Sequence, residues 1–530
     1  MVNTKQIHSL FPSELDIPRD LRHEYIIDQT EFLINGKIEE WDGPVKILYS
    51  PIYIDKSGKY ERKIIGKHPL LDKDTALNVL KAAETSYNYG KGKWPLMQIE
   101  ERIECMSSFM EKLISFHDSI VKFMMWEIGK PSHEATKEFD RTIDYLSDTL
   151  EAAKDIAENN LEIHDHEGIK ANIKAAPVGV VLCMGPFNYP LNESFATIIP
   201  ALMMGNSVIF KPPKYGSLLY QPLLELFSEC FPSGVFNTVY GHDEDVIIPL
   251  LNTGRIDMLA FIGTSKAANI LHSHHPKPNR LKEVLGLEAK NPAIIFEDAD
   301  IGNSVRQCLK GALTFNGQRC TALKILFVHS SIVDKFLGRL KFEIEKIKIG
   351  MPWDEDVTIT PIPDAERIKY LSELVHDARN KGALVLNDNG GYHDKSLFFP
   401  TLLYPVDSSM SIYHEEQFGP VIPVVTFDDI QEPIRYVWQS KYGQQISLFG
   451  NDRATMNYVV SSVLHQTGRV NLNTICQRGP DQFPFTGRKD SAKSILSVKD
   501  ALAEFSMPGI VAVKDDYEGI EMLSAVLKGK

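Results

Sequence analysis

No CxxC pair occurs in this chain of 530 residues. Its six cysteines, Cys105, Cys183, Cys230, Cys308, Cys320 and Cys476, are scattered without interleaved histidine spacing. That pattern excludes a zinc finger or a disulfide framework and predicts no metal site. Free thiols of this kind belong to a reducing compartment, so the expected location is the cytoplasm. No long Lys/Arg block appears and the net charge is −13, which argues against a nucleic-acid or anionic-membrane partner. The most apolar stretch, "SFATIIPALMMGNSVIF", is broken by Pro200, Gly205 and Asn206 and makes a poor membrane span. The first twenty residues hold no apolar leader core. Heptads, internal repeats and low-complexity tracts are missing too.

What is present is the composition of a globular protein with a large core, 43% apolar and 24% charged. Up to about residue 150 a lead-in is followed by helical periodicity, in "TALNVLKAAETSYNYG" and "ERIECMSSFMEKLISFHDSIVKFMMWEIG". From Pro177 short β-rich runs alternate with helical ones: "VGVVLCMG", "NESFATIIPALMM", "SVIFKP", "LLYQPLLELFSECF", "VFNTVYG", "DEDVIIPLLN" and "DMLAFIG". A second series begins near Asn291 with "PAIIF", "SVRQCLKGAL" and "LKILFVHS", and continues in "PVIPVVTF". Such alternation predicts an α/β fold with two Rossmann-like parallel-sheet domains, facing each other across a cleft.

The cleft chemistry starts at "LTFNGQRCTALK". Cys320 follows an arginine in a glycine-containing turn led by Asn316, Gly317 and Gln318, a setting that suits a nucleophilic thiol better than a core cysteine. No GxGxxG follows the first strand. Instead "GPFNYP" turns the chain at the strand's carboxyl end, where open α/β sheets bind ligands. The second strand ends in "FKPPK": Lys211 and Lys214 stand where an acid would accept a ribose hydroxyl and where lysines would attract a 2′-phosphate. In "FIGTSK", Gly263 permits close approach, and Thr264 or Ser265 can cap a helix whose start faces an anion.

The ordered motifs "PFNYP", "KPPK", "FIGTS", "GQRC", "EEQFGP" and "FPFTGRKDS" resemble the aldehyde dehydrogenase superfamily, from about Phe32 to Val513. "EIGK", "FDRT" and "RGPDQFPF" look most like its NADP-dependent, non-phosphorylating glyceraldehyde-3-phosphate dehydrogenases. The resemblance implies that Cys320 is the nucleophile, with Asn188 and the Cys320 backbone N–H holding the oxyanion. It implies Lys211, Lys214, Gly241, Gly263, Thr264, Glu416 and Phe418 as cofactor-binding residues. NADP rather than NAD is expected, because Lys214 stands where NAD-preferring members carry glutamate. Arg141, Tyr189, Arg319 and Arg478 are implied to bind a phosphorylated aldehyde.

One departure stands out. Where many relatives read "LELGGK", this chain reads "LGLEAKNP", which puts Gly286 at the usual base position and Glu288 two residues on. Residues two apart in a strand share a face, so Glu288 is the expected deacylation base, with Glu283 or no base as alternatives. Rival outcomes are a dehydrogenase of another acidic semialdehyde, an acyl-transferring enzyme, and a silent NADP-binding protein. The implied organisation is a cofactor domain of residues 1–153 and 174–287, and a catalytic domain of 288–490. Residues 154–173 and 491–530 supply a small β oligomerisation element and a tail. "EGIKANIKAAPVGV" and "MPGIVAVKD" resemble the β elements that join subunits, so a homodimer or homotetramer is expected.

Overall fold

The computed structural model describes residues 10–22, 26–159 and 162–527. Strand Val180–Met184 heads a six-stranded sheet. Its order runs Phe236–Thr238, Ser207–Lys211, Val180–Met184, Met258–Ile262, Lys282–Gly286 and Ala492–Lys493. All pairings are parallel except the last, in which Leu285 faces Lys493. The strands are apolar throughout because both faces are covered, and their side chains alternate between two cores. Val181 and Cys183 pack with Phe195 and Ile199 on one face, whereas Val180, Leu182 and Met184 pack with Leu80 and Ile247 on the other.

The second sheet has seven strands, ordered Leu384–Val385, Thr401–Tyr404, Val421–Phe427, Leu323–His329, Asn291–Ile295, Gln445–Phe449 and Arg469–Leu472. Only the Leu384–Val385 edge pairs antiparallel. Ala293 and Ile295 enter one core and Ile294 the opposite one, the same two-faced arrangement. The α/β alternation expected from Pro177 onward is therefore present, with Lys282–Gly286, Thr401–Tyr404, Gln445–Phe449 and Arg469–Leu472 as strands beyond those named from sequence.

Ser506–Lys514 pairs antiparallel with Ile169–Pro177, and Ile163–His166 completes a three-stranded ribbon. The two stretches read from sequence as β elements are thus hydrogen-bonded to each other. Before reaching the ribbon, the chain after residue 490 returns to the six-stranded sheet through Ala492–Lys493. The lead-in holds a hairpin of Val45–Lys56 and Lys59–Pro69. The tail ends in helix Tyr517–Leu527, which buries only Leu523. Among the described residues, no helix is long and apolar enough to cross a membrane.

Candidate active site

Three parallel strands end at one place. Val180–Met184 runs into Gly185 and Phe187, Met258–Ile262 into Gly263 and Thr264, and Lys282–Gly286 into Leu287 and Glu288; all six line a cavity of about 540 Å³. This is the carboxyl edge of a doubly wound sheet, where its strand order leaves a crevice. Of the site residues that the resemblance implies, together with Glu288, all line the cavity except Lys211 and Gly241; Ser265 and the alternative base Glu283 do not line it either. Gly241 lies against Leu71 and Val246, with φ 137°.

Cys320 sits between helix Ile301–Leu313 and strand Leu323–His329. The turn before it carries three successive residues in the left-handed region: Phe315 (φ 49°), Asn316 (φ 58°) and Gly317 (φ 69°). Non-glycine residues reach this region only when held there. Asn316 is held by Thr360, donating to its carbonyl at 3.0 Å and accepting its N–H at 2.9 Å. A Cβ on Gly317 would lie 2.6 Å from the Ala312 carbonyl oxygen, so only glycine fits. The Cys320 carbonyl accepts from Asn291 Nδ2 and Lys324 Nζ, each at 2.8 Å. Burial raises the Cys320 thiol above its ordinary value, and the Glu193 charge adds to the rise; Lys324, Gln444 and Arg478 oppose it.

Asn188 is buried at the start of the turn that leads into helix Asn192–Met203. Its Nδ2 donates to the Gln318 carbonyl at 2.7 Å, which spends one N–H near the thiol and leaves a second. Its own carbonyl accepts from Lys130 Nζ at 2.9 Å.

Glu288 Oε2 accepts the Ser265 backbone N–H at 2.8 Å. Ser265 opens helix Ser265–Ser273, whose cap is Thr264, accepting from Ala267 N. A carboxylate at a helix start is favoured by the unpaired N–H groups there. Gly286 is not forced by crowding: a Cβ would meet Ile262 at 3.4 Å and Leu496 at 3.8 Å, ordinary contacts. Glu283 is out of the cavity, engaged by His272 at 2.8 Å and Lys493 at 2.6 Å. Glu416 accepts from Lys324 Nζ at 2.7 Å and from Ala289 N at 3.1 Å. Phe418 stands edge-on to Phe187, with ring centroids 6.0 Å apart.

Lys211 pairs with Asp243 at 2.9 Å, and the more exposed Lys214 lies 3.8 Å from Asp364. Reading the sequence missed Lys46, on the lead-in hairpin. Burial lowers its ammonium pKa, and the charges of Lys214 and Lys211 lower it further. Burial, with Lys46, Lys211 and His242 adding, pushes His68 down to about 3. The edge of the sheet thus carries a cluster of lysines beside an uncharged imidazole. No local signal tied residue 46 to residue 211, since their approach is purely tertiary. Of this cluster Lys214 lines the cavity, together with Glu416 and Cys320.

At the other end, Arg319 Nη2 donates to the Gly311 carbonyl at 3.1 Å, and its Nε is buried without a hydrogen-bond partner. Arg141 forks onto Asp481 at 2.9–3.1 Å. Arg478 pairs with Glu193 and, at 3.3 Å, with Asp481. Arg478 is therefore buried in an internal ion network rather than free. Tyr189 turns its ring to Lys130. Lys137 and Lys310, not anticipated from sequence, also line this end. Cys476 is buried, 3.3 Å from Ser447 Oγ, and does not line the cavity.

Two facing α/β sheets with a thiol, an amide and carboxylates in their shared crevice describe an oxidoreductase site. Residues 52–510 match the aldehyde dehydrogenase family. The chain is 31% identical over 442 residues to the NADP-dependent glyceraldehyde-3-phosphate dehydrogenase of Streptococcus equinus, covering 81% of this chain and 90% of that protein. A crystal structure of the NADP-dependent glyceraldehyde-3-phosphate dehydrogenase from Bacillus halodurans, complexed with NADP, superposes with a TM-score of 0.83 at 30% identity; the match covers 92% of this chain and all of that one. Betaine aldehyde dehydrogenase from Staphylococcus aureus in complex with NAD+ also reaches 0.83, at 26% identity, over 92% of this chain and 95% of that one. The chain belongs to the aldehyde dehydrogenase family and is an NAD(P)-dependent oxidoreductase acting on aldehydes.

Proposed function

We propose that this enzyme oxidises glyceraldehyde 3-phosphate to 3-phosphoglycerate with NADP and without inorganic phosphate. The observation that carries the reading is Arg319: a guanidinium one residue from the thiol, with a buried Nε left unpaired and no carboxylate partner among the described residues. A planar cation with unspent donors suits a phosphate oxygen. Lys137 and Lys310 add charge at the same end. The likeness to NADP-dependent glyceraldehyde-3-phosphate dehydrogenases supports the same choice.

Cys320, as thiolate, attacks the aldehyde carbon to give a thiohemiacetal, whose oxyanion meets the second N–H of Asn188 and the Cys320 backbone N–H. Such preorganised donors contribute ~3–4 kcal/mol in the transition state. Lys46, Lys211 and Lys214 would hold the adenosine 2′-phosphate and Glu416 the nicotinamide ribose; the nicotinamide, when bound, supplies the hydride acceptor. The resulting thioester is hydrolysed by water, with Glu288 taking the water's proton. The thiol is then restored.

A second reading is favoured by Gly286, which places no carboxylate at the usual base position. There the thioester passes to an acceptor other than water. NADPH formation in phosphate-free, CoA-free buffer distinguishes them. Steady turnover that is faster with glyceraldehyde 3-phosphate than with glyceraldehyde, and an Arg319→Ala variant losing about ten- to a hundredfold in kcat/KM for the phosphorylated aldehyde alone, support the main proposal. A single burst supports the second. Equal rates with both aldehydes end the phosphate reading.

A further inference from the structure

The turn that carries Asn188 has no cap of its own. Leu191, the residue before helix Asn192–Met203, offers no side-chain acceptor, and the whole helix is buried. Free N–H groups at a buried helix start must find partners. They find Glu138, whose Oε1 accepts from Leu191 N at 2.9 Å and from Asn192 N at 3.1 Å. The other oxygen of Glu138 pairs with Lys130, and neither side chain is exposed at all. Lys130 Nζ then reaches back across the turn to the Asn188 carbonyl at 2.9 Å. Its remaining face looks onto the Tyr189 ring, 3.5 Å from the centroid, and the Phe315 ring at 4.7 Å. Phe315 begins the left-handed turn that leads to Cys320.

Two fully buried, opposite charges therefore grip the turn that follows Asn188 at both its ends. One holds the Asn188 carbonyl, the other holds the N–H groups three and four residues later. A buried pair is a poor source of net stability, since desolvation offsets most of the attraction. What it supplies here is direction: a charge-assisted contact fixes a peptide plane more firmly than a neutral one. The side chain of Asn188 has one N–H committed to Gln318, so rotation of the peptide at 188 changes where the second N–H points.

We infer that Lys130 and Glu138 are positioning residues that aim the Asn188 amide at the oxyanion formed on Cys320. The inference rests on the reading of Asn188 as oxyanion donor, and the test separates the two.

Asn188→Ala, Lys130→Met and Glu138→Gln are compared singly and as the Asn188→Ala double variants. The readouts are the rate of the first NADPH burst, the equilibrium dissociation constant of NADP+ measured by fluorescence without aldehyde, and the alkylation rate of Cys320 by iodoacetamide. Asn188→Ala should slow the burst by about 10²–10³. Lys130→Met and Glu138→Gln should each slow it by at least about tenfold, with NADP+ binding and alkylation unchanged within about twofold. Added to Asn188→Ala, neither should slow the burst further, because residues acting through one group are not additive. If Asn188→Ala leaves the burst intact, the oxyanion reading itself fails. If Asn188→Ala is slow but the other two are fast, or if their effects multiply with it, the positioning role is overturned. Should Lys130→Met not fold, the Lys130→Met/Glu138→Leu pair replaces both charges with apolar groups: a folded, slow enzyme agrees with the inference and a folded, fast one refutes it.

Discussion

The carboxylate of Glu288 accepts the backbone N–H of Ser265 at 2.8 Å, which joins the end of one parallel strand to the start of the helix after its neighbour. This places the displaced acid in the cavity with Cys320 while anchoring it at a helix start. Glu288→Gln should keep the burst and slow the steady state by about 10²–10³, the typical contribution of a positioned base being 10²–10⁴. Gly286 has room for a side chain, so Glu288→Gln/Gly286→Glu should recover part of the loss. Stopped-flow and steady-state NADPH formation give both numbers. An unchanged steady state in Glu288→Gln removes Glu288 from deacylation.

Arg478 is held by Glu193 and Asp481, and Asp481 also receives the fork of Arg141. Truncating one member of a buried ion network leaves the others uncompensated. Arg478→Ala should therefore lower unfolding stability by about 3–5 kcal/mol, a loss read as a shift in the denaturant midpoint. Arg319→Ala, which strands no carboxylate, should leave that midpoint nearly in place. A stable Arg478→Ala enzyme would show that the network is not under load.

Lys214 stands in the cavity beside two further lysines. Lys214→Glu removes a cation and adds an anion where a 2′-phosphate is expected. NADP+ affinity should fall by about ten- to a hundredfold, with NAD+ affinity unchanged or improved. Fluorescence titration of both cofactors reads this directly. Equal losses for both would point to a folding defect instead.

Burial and the Glu193 charge raise the Cys320 thiol. The reactive thiolate is then scarce at neutrality and its fraction grows with pH. Iodoacetamide inactivation should keep rising through about pH 8.5, where an unperturbed thiol is half ionised. A plateau below about pH 7.5 would mean that the thiol is activated before cofactor binds.

How much of this was legible beforehand depended on whether the signal was local. The strands from Val180 to Ile262 announce themselves because an apolar run between turn residues needs no distant partner to be recognised, whereas Lys282–Gly286, begun by a lysine and a glutamate, does not stand out in the same way. Phe315, Asn316 and Gly317 were likewise visible as a turn before a thiol. The hairpin Val45–Lys56 with Lys59–Pro69 was not read, since its register shifts near Leu48 and Tyr49 break the alternation that marks a strand. The fate of the arginines was hidden for another reason: Arg141 meets Asp481 across 340 positions, and Glu193 meets Arg478 across 285. Sequence spacing carries no trace of such pairs. Lys46 escaped notice on the same ground.

Lys324 joins the Cys320 carbonyl and the Glu416 carboxylate through one buried ammonium. A substitution at Lys324 therefore acts on the thiol's turn and on the acid expected to grip the ribose at the same time. New aldehyde preferences are cheaper to explore at the cavity's outer rim, where Lys137 and Lys310 are exposed and answer to no shared anchor. Altered aldehyde preference is accordingly best sought by substitution at this mouth, with position 324 left as it is.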